Sequence, residues 1–338
     1  MDVSTRTLRI HLAETFHISR ESSDFDDVLH VALTHDGVTG YGEAAPQAHY
    51  GESIASAETF VREHGALVGH DPFALEEIGA RLAELPGERA AKNALDNALH
   101  DLQGKLLGVP VWKLLGLPRH GPPTSWTVWL GDPDDMARRA EKAAQRFRRL
   151  KLKLGGGDGL DVERARAVRA VTDLPLQVDV NEWWSLDEAL DACEQLHALG
   201  FAYVEQPLKA GDPGGPELKR RSPVPVYVDE DCHTLADVAH CAEIAHGVNI
   251  KLAKSGGIRE AVRIAHAARA LGLGVMLGCM VESGLGIAAG CVVAPLCDHI
   301  DLDGNLLLGS DPCPGVAFEN GVQVPSAAAG LGVEVPGW

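Results

Sequence analysis

Five residues whose types could do chemistry recur along this 338-residue chain at nearly equal intervals. Lys153, Asp179, Glu205, Asp229 and Lys254 are separated by 26, 26, 24 and 25 residues, about the length of one strand plus one helix. Asp179, Glu205 and Asp229, brought together, would repel one another and raise each other's pKa unless a cation neutralised them. All-oxygen ligands suit a hard ion, and three carboxylates with room for water and a ligand oxygen fit Mg2+, or Mn2+, better than zinc. The alternative is a set of salt bridges to Lys or Arg. The lysines offer proton transfer. Lys151 lies two residues before Lys153, and two neighbouring ammonium groups depress one another's pKa, which makes one of them a usable base near neutrality. Lys254 enters four units further round an eight-stranded circle, opposite Lys153, and one base on each side of a planar centre is what inversion requires.

These residues need elements that deliver them to one place. Each follows a short apolar run: Leu150 to Leu152 before Lys153, Leu174 to Val178 before Asp179, Phe201 to Val204 before Glu205, Pro225 to Val228 before Asp229, and Val248 to Leu252 before Lys254. Such runs read as buried strands. Wet strand ends often carry charge, but five in register argue for a closed parallel barrel, whose strand ends converge on one face. Strands are expected near 125–130, 149, 175, 201, 225, 248, 274 and 299–302. Helices are expected near 134–148, 161–172, 185–199, 233–246, 257–271 and 282–293, with a fourth connection that is short and broken by Pro213 and Pro216. The 15-residue stretch from Ser283 to Cys297 falls short of the roughly 20 residues of a membrane helix and reads as a buried barrel helix.

The first 120 residues lack this repeat. Segments 7–12, 27–34 and 38–44 read as strands, the last two joined by a tight turn at Asp36-Gly37. Helical spacing covers 53–68 and 88–107, with Gly108 and Pro110 as the stop. The expected fold is α/β, a closed barrel of eight strands and seven helices over 121–303 after an α+β unit over 1–120, to which 304–338 return. Two cap loops are flagged, 16–20 between strands and 46–53 before a helix.

Composition bounds the partners. A formal net charge of −18 supplies no basic footprint for nucleic acid or anionic membrane. Seven cysteines without a C-x-x-C pair, together with a polar N-terminus, point to a reduced, cytoplasmic protein.

The motifs as a set resemble the enolase superfamily, in its muconate-lactonising-enzyme subgroup. They are Lys151-Leu152-Lys153, Asp179-Val180-Asn181 with Trp184, Glu205-Gln206-Pro207, Asp229-Glu230, Asn249-Ile250-Lys251-Leu252-Ala253-Lys254 with Gly256-Gly257, and Gly278-Cys279-Met280-Val281-Glu282-Ser283. The resemblance implies a modified TIM barrel, (β/α)7β, with an N-terminal α+β capping domain, and Mg2+ held by Asp179, Glu205 and Asp229, with Asn181, Glu230 and Lys251 supporting them. It also implies proton abstraction beside a carboxylate by Lys153 or Lys254, with Lys151 on that carboxylate and charge building on an enediolate. Enolase-superfamily sites are themselves a standard example of a Lys or His base working with one or two Mg2+ ions. Subgroups with a His-Asp pair usually carry the histidine at the end of the seventh strand, where this chain reads Gly278-Cys279-Met280. In Asp301-Leu302-Asp303 two carboxylates are expected on one side of the last strand, a pair suited to a primary ammonium. That arrangement resembles dipeptide epimerases. An acidic surface turn is the plain alternative. N-acylamino acid racemases, o-succinylbenzoate synthases and muconate cycloisomerases would share the lysines and metal residues without an ammonium to bind, and a non-catalytic carboxylate-binding barrel is the remote alternative. Arg20 could pair with an acidic substrate side chain, whereas Phe16 and Ile18 could line an apolar pocket with Met280. A homo-oligomer is what the resemblance implies.

Overall fold

The computed structural model describes residues 1–20 and 22–338. Three antiparallel strands open the chain, β1 (Asp2–His17), β2 (Ser22–His35) and β3 (Val38–Ala44). Asp36 and Gly37 take positive φ angles of 50° and 76° between His35 and Val38, the two-residue turn whose twist suits a hairpin. Helices α1 (Ile54–His64), α2 (Leu75–Ala83), α3 (Arg89–Leu107) and α4 (Val111–Leu114) follow; α2 was not foreseen. Alanines 90, 91, 94 and 98 of α3 are buried. They let β3 approach so closely that a Cβ on Gly42 would come within 2.0 Å of the Ala94 carbonyl oxygen.

An eight-stranded parallel sheet then runs in sequence order: β4 (Trp126–Val128), β5 (Leu150–Lys153), β6 (Leu176–Asp179), β7 (Val204–Glu205), β8 (Val226–Val228), β9 (Gly247–Lys251), β10 (Gly274–Gly278) and β11 (His299–Asp301). A parallel bridge between Thr124 and Ile300 closes it into a barrel. Connecting helices are α5 (Pro133–Ala144), α6 (Asp161–Val171), α7 (Leu186–Ala198), α8 (Gly215–Arg221), α9 (Val238–Ile244), α10 (Leu252–Ser255), α11 (Ile258–Ala270) and α12 (Gly284–Val293). Pro216 starts α8 instead of breaking it, because the first helical turn has no use for the missing N–H. The expected helix over 233–246 is shorter, a 3-10 turn leading into α9. A last hairpin, β12 (Ala317–Glu319) and β13 (Val322–Val324), carries Phe318 onto Phe147 beside the barrel. Leu331 reaches α3, its N–H donating to Asp101 Oδ1 at 2.7 Å.

Alternation along each strand sorts the barrel interior into layers. Tyr203, Tyr227, Met276 and His299 meet at the bottom. Lys151 and Gln177 are register partners above them, and Lys153 pairs with Asp179, which pairs with Glu205, at the top. The cap is fastened over this top through Glu43 at the end of β3. Its carboxylate takes the Ser283 N–H at 2.9 Å and the Ser283 hydroxyl, and pairs with His30 at 2.8 Å, all of it buried.

Two outcomes follow from this packing. Gly42→Ala should lower stability by about 1–3 kcal/mol or more, because the α3 backbone cannot yield as a side chain would; an unchanged urea midpoint would show that the β3–α3 contact is looser than described. The second concerns acid. Burial first, then Arg149, whose guanidinium donates to His299 Nδ1 at 2.9 Å, lowers the His299 pKa to about 4. An unfolded histidine takes up its proton near pH 6.5, so this contribution is complete above about pH 6.5 and is lost as the pH falls toward about 4. His299→Gln should flatten the fall in Tm across that window.

Candidate functional site

The carboxylates predicted from spacing lie side by side at the barrel mouth. Asp179, Glu205 and Asp229 each have 0% exposure. The chain turns sharply behind two of them: Asn181, Glu182 and Gln206 have φ of 49°, 70° and 37°, a region that non-glycine residues seldom occupy and that clusters at functional sites. Gln206 repays the strain by accepting the N–H groups of Asp229 and Glu230 on its Oε1 at 2.7 and 3.0 Å, which ties the end of β8 to that of β7. Asn249 donates to Glu205 Oε1 at 2.6 Å. Gln206 and Asn249 stood inside the quoted motifs, but sequence reasoning assigned them no role, since an amide beside a strand end has no distinctive spacing.

Four ammonium groups balance this row. Lys151 Nζ is 3.1 Å from Asp179, 2.8 Å from Glu205 and 2.7 Å from Asp301. Lys153 contacts Asp179 at 2.7 Å and Asn181 Oδ1 at 3.2 Å. On the other flank, Lys251 and Lys254 reach the two oxygens of Asp229 at 2.7 and 2.5 Å. The two proton-transfer candidates therefore attach to the two outer carboxylates of the row. Salt bridging, the alternative weighed above, is thus present in full.

Electrostatics corrects one expectation. Burial alone would depress Lys151, but Asp179, Asp301 and Glu205 outweigh it and hold its pKa well above the ordinary value. It is a fixed cation and not a base softened by Lys153. The carboxylates do not share their charge equally either. Burial opposes ionisation of Asp179 and Asp229, yet the surrounding lysines keep both well below the usual range. Glu205 is pushed up to about 7 by burial and by Asp179. Glu205 Oε2 and Asp229 Oδ2 are buried with no hydrogen bond of proper geometry, although lysines touch them. Two oxygens without a well-aligned donor, in a row of three converging carboxylates, fit a hard divalent cation.

Two placements differ from expectation. Lys254 is not on the strand: β9 ends at Lys251, and the one-turn helix α10 carries Lys254 inward. Asp303 does not share the strand of Asp301, because β11 stops at Asp301 and the chain curls into a 3-10 turn capped by Asp303. Asp303 nevertheless lines one cavity with Asp301, Lys151 and Lys153, whereas Lys254, buried on Asp229, is not among the residues that line it. Asp303 accepts the Thr127 N–H at 2.7 Å, while burial and Asp301 push its pKa up to about 7. Two crowded carboxyls of this kind gain from a bound ammonium.

The cavity is about 290 Å3 in volume and is roofed by the cap. Of the first flagged loop, Phe16 and His17 belong to β1, and Ile18 and Arg20 lie beyond it; Phe16, Ile18 and Arg20 line the cavity with Met280. The second loop brings His49 and Tyr50. Arg20 spans the mouth to Glu230 and, at 3.7 Å, to Glu182, neither pairing foreseen. Glu230, raised to about 8 by burial and then by Asp229, meets Arg20 and keeps one buried oxygen unpaired.

Comparison with known proteins agrees with this geometry. Residues 1–116 match the model of the mandelate racemase / muconate lactonizing enzyme N-terminal domain, and residues 135–337 match the enolase C-terminal domain-like model. The chain is 38% identical over 328 residues to an L-Ala-D/L-Glu epimerase of Bacteroides thetaiotaomicron, covering 96% of this chain and 85% of that protein. It is 37% identical over 344 residues to a hydrophobic dipeptide epimerase of Roseobacter litoralis, covering 98% of each. A dipeptide epimerase from Enterococcus faecalis, solved with Mg and L-Leu-L-Tyr, superposes with a TM-score of 0.94 at 31% identity, covering 98% of both chains. With a capping sheet, a closed parallel barrel and a buried carboxylate row at its mouth, the chain belongs to the enolase superfamily, in the mandelate racemase / muconate lactonizing enzyme family.

Proposed function

We propose that this protein is a Mg2+-dependent dipeptide epimerase, an isomerase that inverts the Cα of the C-terminal residue of a dipeptide. The observation that carries the reading is the attachment of Lys153 and Lys254 to opposite ends of the carboxylate row. A substrate carboxylate held over that row leaves its α-carbon between the two amines. The neutral lysine on one face takes the α-proton, and the ammonium on the other face returns a proton to the opposite side, so one proton leaves and one arrives. Lys151, a permanent cation beside Asp179 and Glu205, is placed to hold the substrate carboxylate as charge accumulates on it. Asp179, Glu205 and Asp229 would hold the Mg2+, which when bound supplies Lewis-acid stabilisation of that charge. Mn2+ would satisfy the same oxygens. Asn181, Glu230 and Lys251 keep the carboxylates and the mouth in place.

Asp301 and Asp303 account for the dipeptide. They face the cavity from the side of Thr127 and Lys151 and are suited to receive the free α-ammonium. The named relatives and the E. faecalis structure act on or contain dipeptides, which supports the same assignment. Seven free thiols fit a reducing compartment, and no helix among the described residues is long and apolar enough to cross a membrane.

Incubation with L,L-dipeptides and Mg2+ in D2O should add one deuteron at the C-terminal Cα, read by mass spectrometry. Lys153→Ala and Lys254→Ala should each reduce epimerisation by about 10²–10⁴-fold, and full turnover in either variant would sink the two-base scheme. Mg2+ should also raise Tm with concentration, by linkage to the folded state. If Asp229→Asn shows the same rise, the cation binds elsewhere.

A further inference from the structure

Lys153 and Lys254 are held in different ways. Lys153 sits in the strand ladder, with Asp179 as its register partner. Lys254 is buried on Asp229, outside the cavity lining, so what its amine can reach is decided by the aim of α10, which carries it. A helix of four residues does not hold itself, because one turn fixes several backbone angles for very few hydrogen bonds. α10 ends in Gly256 and Gly257, whose N–H groups both return to the Leu252 carbonyl, at 2.9 and 3.2 Å. α11 starts directly behind them. The place where α11 begins therefore sets where α10 points.

α11 has no cap of its own. Its N-cap residue is Gly257, without a side chain to accept a hydrogen bond, whereas α1 and α7 are capped by Ser53 and Ser185 at their own N-cap positions. The acceptors come instead from α3 of the capping domain. Asp96 Oδ2 accepts the Arg259 N–H at 3.1 Å, and Asn97 Oδ1 accepts the Ile258 N–H at 3.4 Å. A carboxylate also suits the positive end of the α11 dipole. The approach is so close that a Cβ on Gly257 would come within 2.4 Å of Asp96 Oδ2, and Gly256 and Gly257 take φ of 99° and 114° to make it. Buried neighbours fix the two acceptors on α3. Asp96 Oδ2 is 3.3 Å from His100 Nδ1, Asn97 donates to Asn93 Oδ1 at 2.8 Å, and Asn93 donates to the Glu43 carbonyl at 2.8 Å.

We infer that Asp96 is a positioning residue for proton transfer: by capping α11 from the other domain it fixes the direction in which α10 presents Lys254, an inference that rests on the epimerase reading above. Lys153, on β5, does not depend on this anchor. Loss of Asp96 should therefore weaken one of the two bases and spare the other, which a loss of general stability would not do.

The two epimers of a substrate present their Cα–H to different lysines, so the exchange of each epimer reports one base. Initial Cα deuteration in D2O with Mg2+ is read on L-Ala-L-Leu and L-Ala-D-Leu and on L-Ala-L-Glu and L-Ala-D-Glu, with Lys254→Ala marking the epimer that depends on Lys254. In Asp96→Ala the exchange of that epimer should fall by about 10- to 100-fold while its partner stays within about twofold, since a displacement of about 1 Å at a reacting group costs up to about 10²-fold. Asp96→Asn keeps an acceptor oxygen and should restore most of the loss. Gly257→Ala strikes the same contact from the barrel side and should give the same one-sided fall, which keeps the test open if Asp96→Ala does not fold. Equal slowing of both epimers, or of neither, in either folded variant overturns the inference and leaves the epimerase reading standing. Wild-type protein that exchanges none of the four dipeptides removes that reading, and the inference with it.

Discussion

Everything in this molecule is arranged around a row of three buried carboxylates. A carboxylate removed from water costs several kcal/mol unless positive charge and hydrogen bonds replace the solvent, and Asp179, Glu205 and Asp229 are fully buried. Lys151, Lys153, Lys251 and Lys254 supply that charge. The compensation is uneven, since Glu205 keeps a pKa near 7 while its neighbours are held low. Residual frustration of this kind, in a site otherwise tightly paired, is where a bound cation and a substrate carboxylate gain their free energy.

The barrel makes such an arrangement affordable. Alternation puts every second residue of each strand inside, so one layer can be apolar and aromatic, as at Tyr203, Tyr227 and Met276, while the layer above is charged. Rigid strands hold Lys153, Asp179 and Glu205 in register. A lone amide, Gln206, spans two strand ends and fixes the Asp229 backbone. Residues on strands and helices are positioned more firmly than residues on loops, which suits the proposed reaction, in which Lys153 on β5 and Lys254 on α10 would face one carbon from opposite sides.

The cap supplies enclosure. Buried Glu43 bonds it to the start of α12, and Arg20 bridges its hairpin to Glu182 and Glu230 beyond the carboxylates. The roof of the cavity thus comes from a different part of the chain than Lys151 and Lys153 in its floor.

Much of this was legible in the sequence, for a definite reason. A parallel barrel repeats one unit, so equal spacing of Lys153, Asp179, Glu205, Asp229 and Lys254 reports convergence before any contact is known. The strand order and the Asp36-Gly37 turn follow from local pattern. Other features depended on contacts between distant segments, which no periodicity encodes. The placement of Lys254 on a helical turn, the curl that separates Asp303 from the strand of Asp301, and the Asn249 support of Glu205 are of this kind. So is the high pKa of Lys151, which two-residue spacing from Lys153 argued should be low and which three carboxylates from three other strands set high. Sequence determined which charges would meet; only the tertiary structure decided which of them neutralise one another, because that balance is a matter of ångströms between residues far apart in the chain.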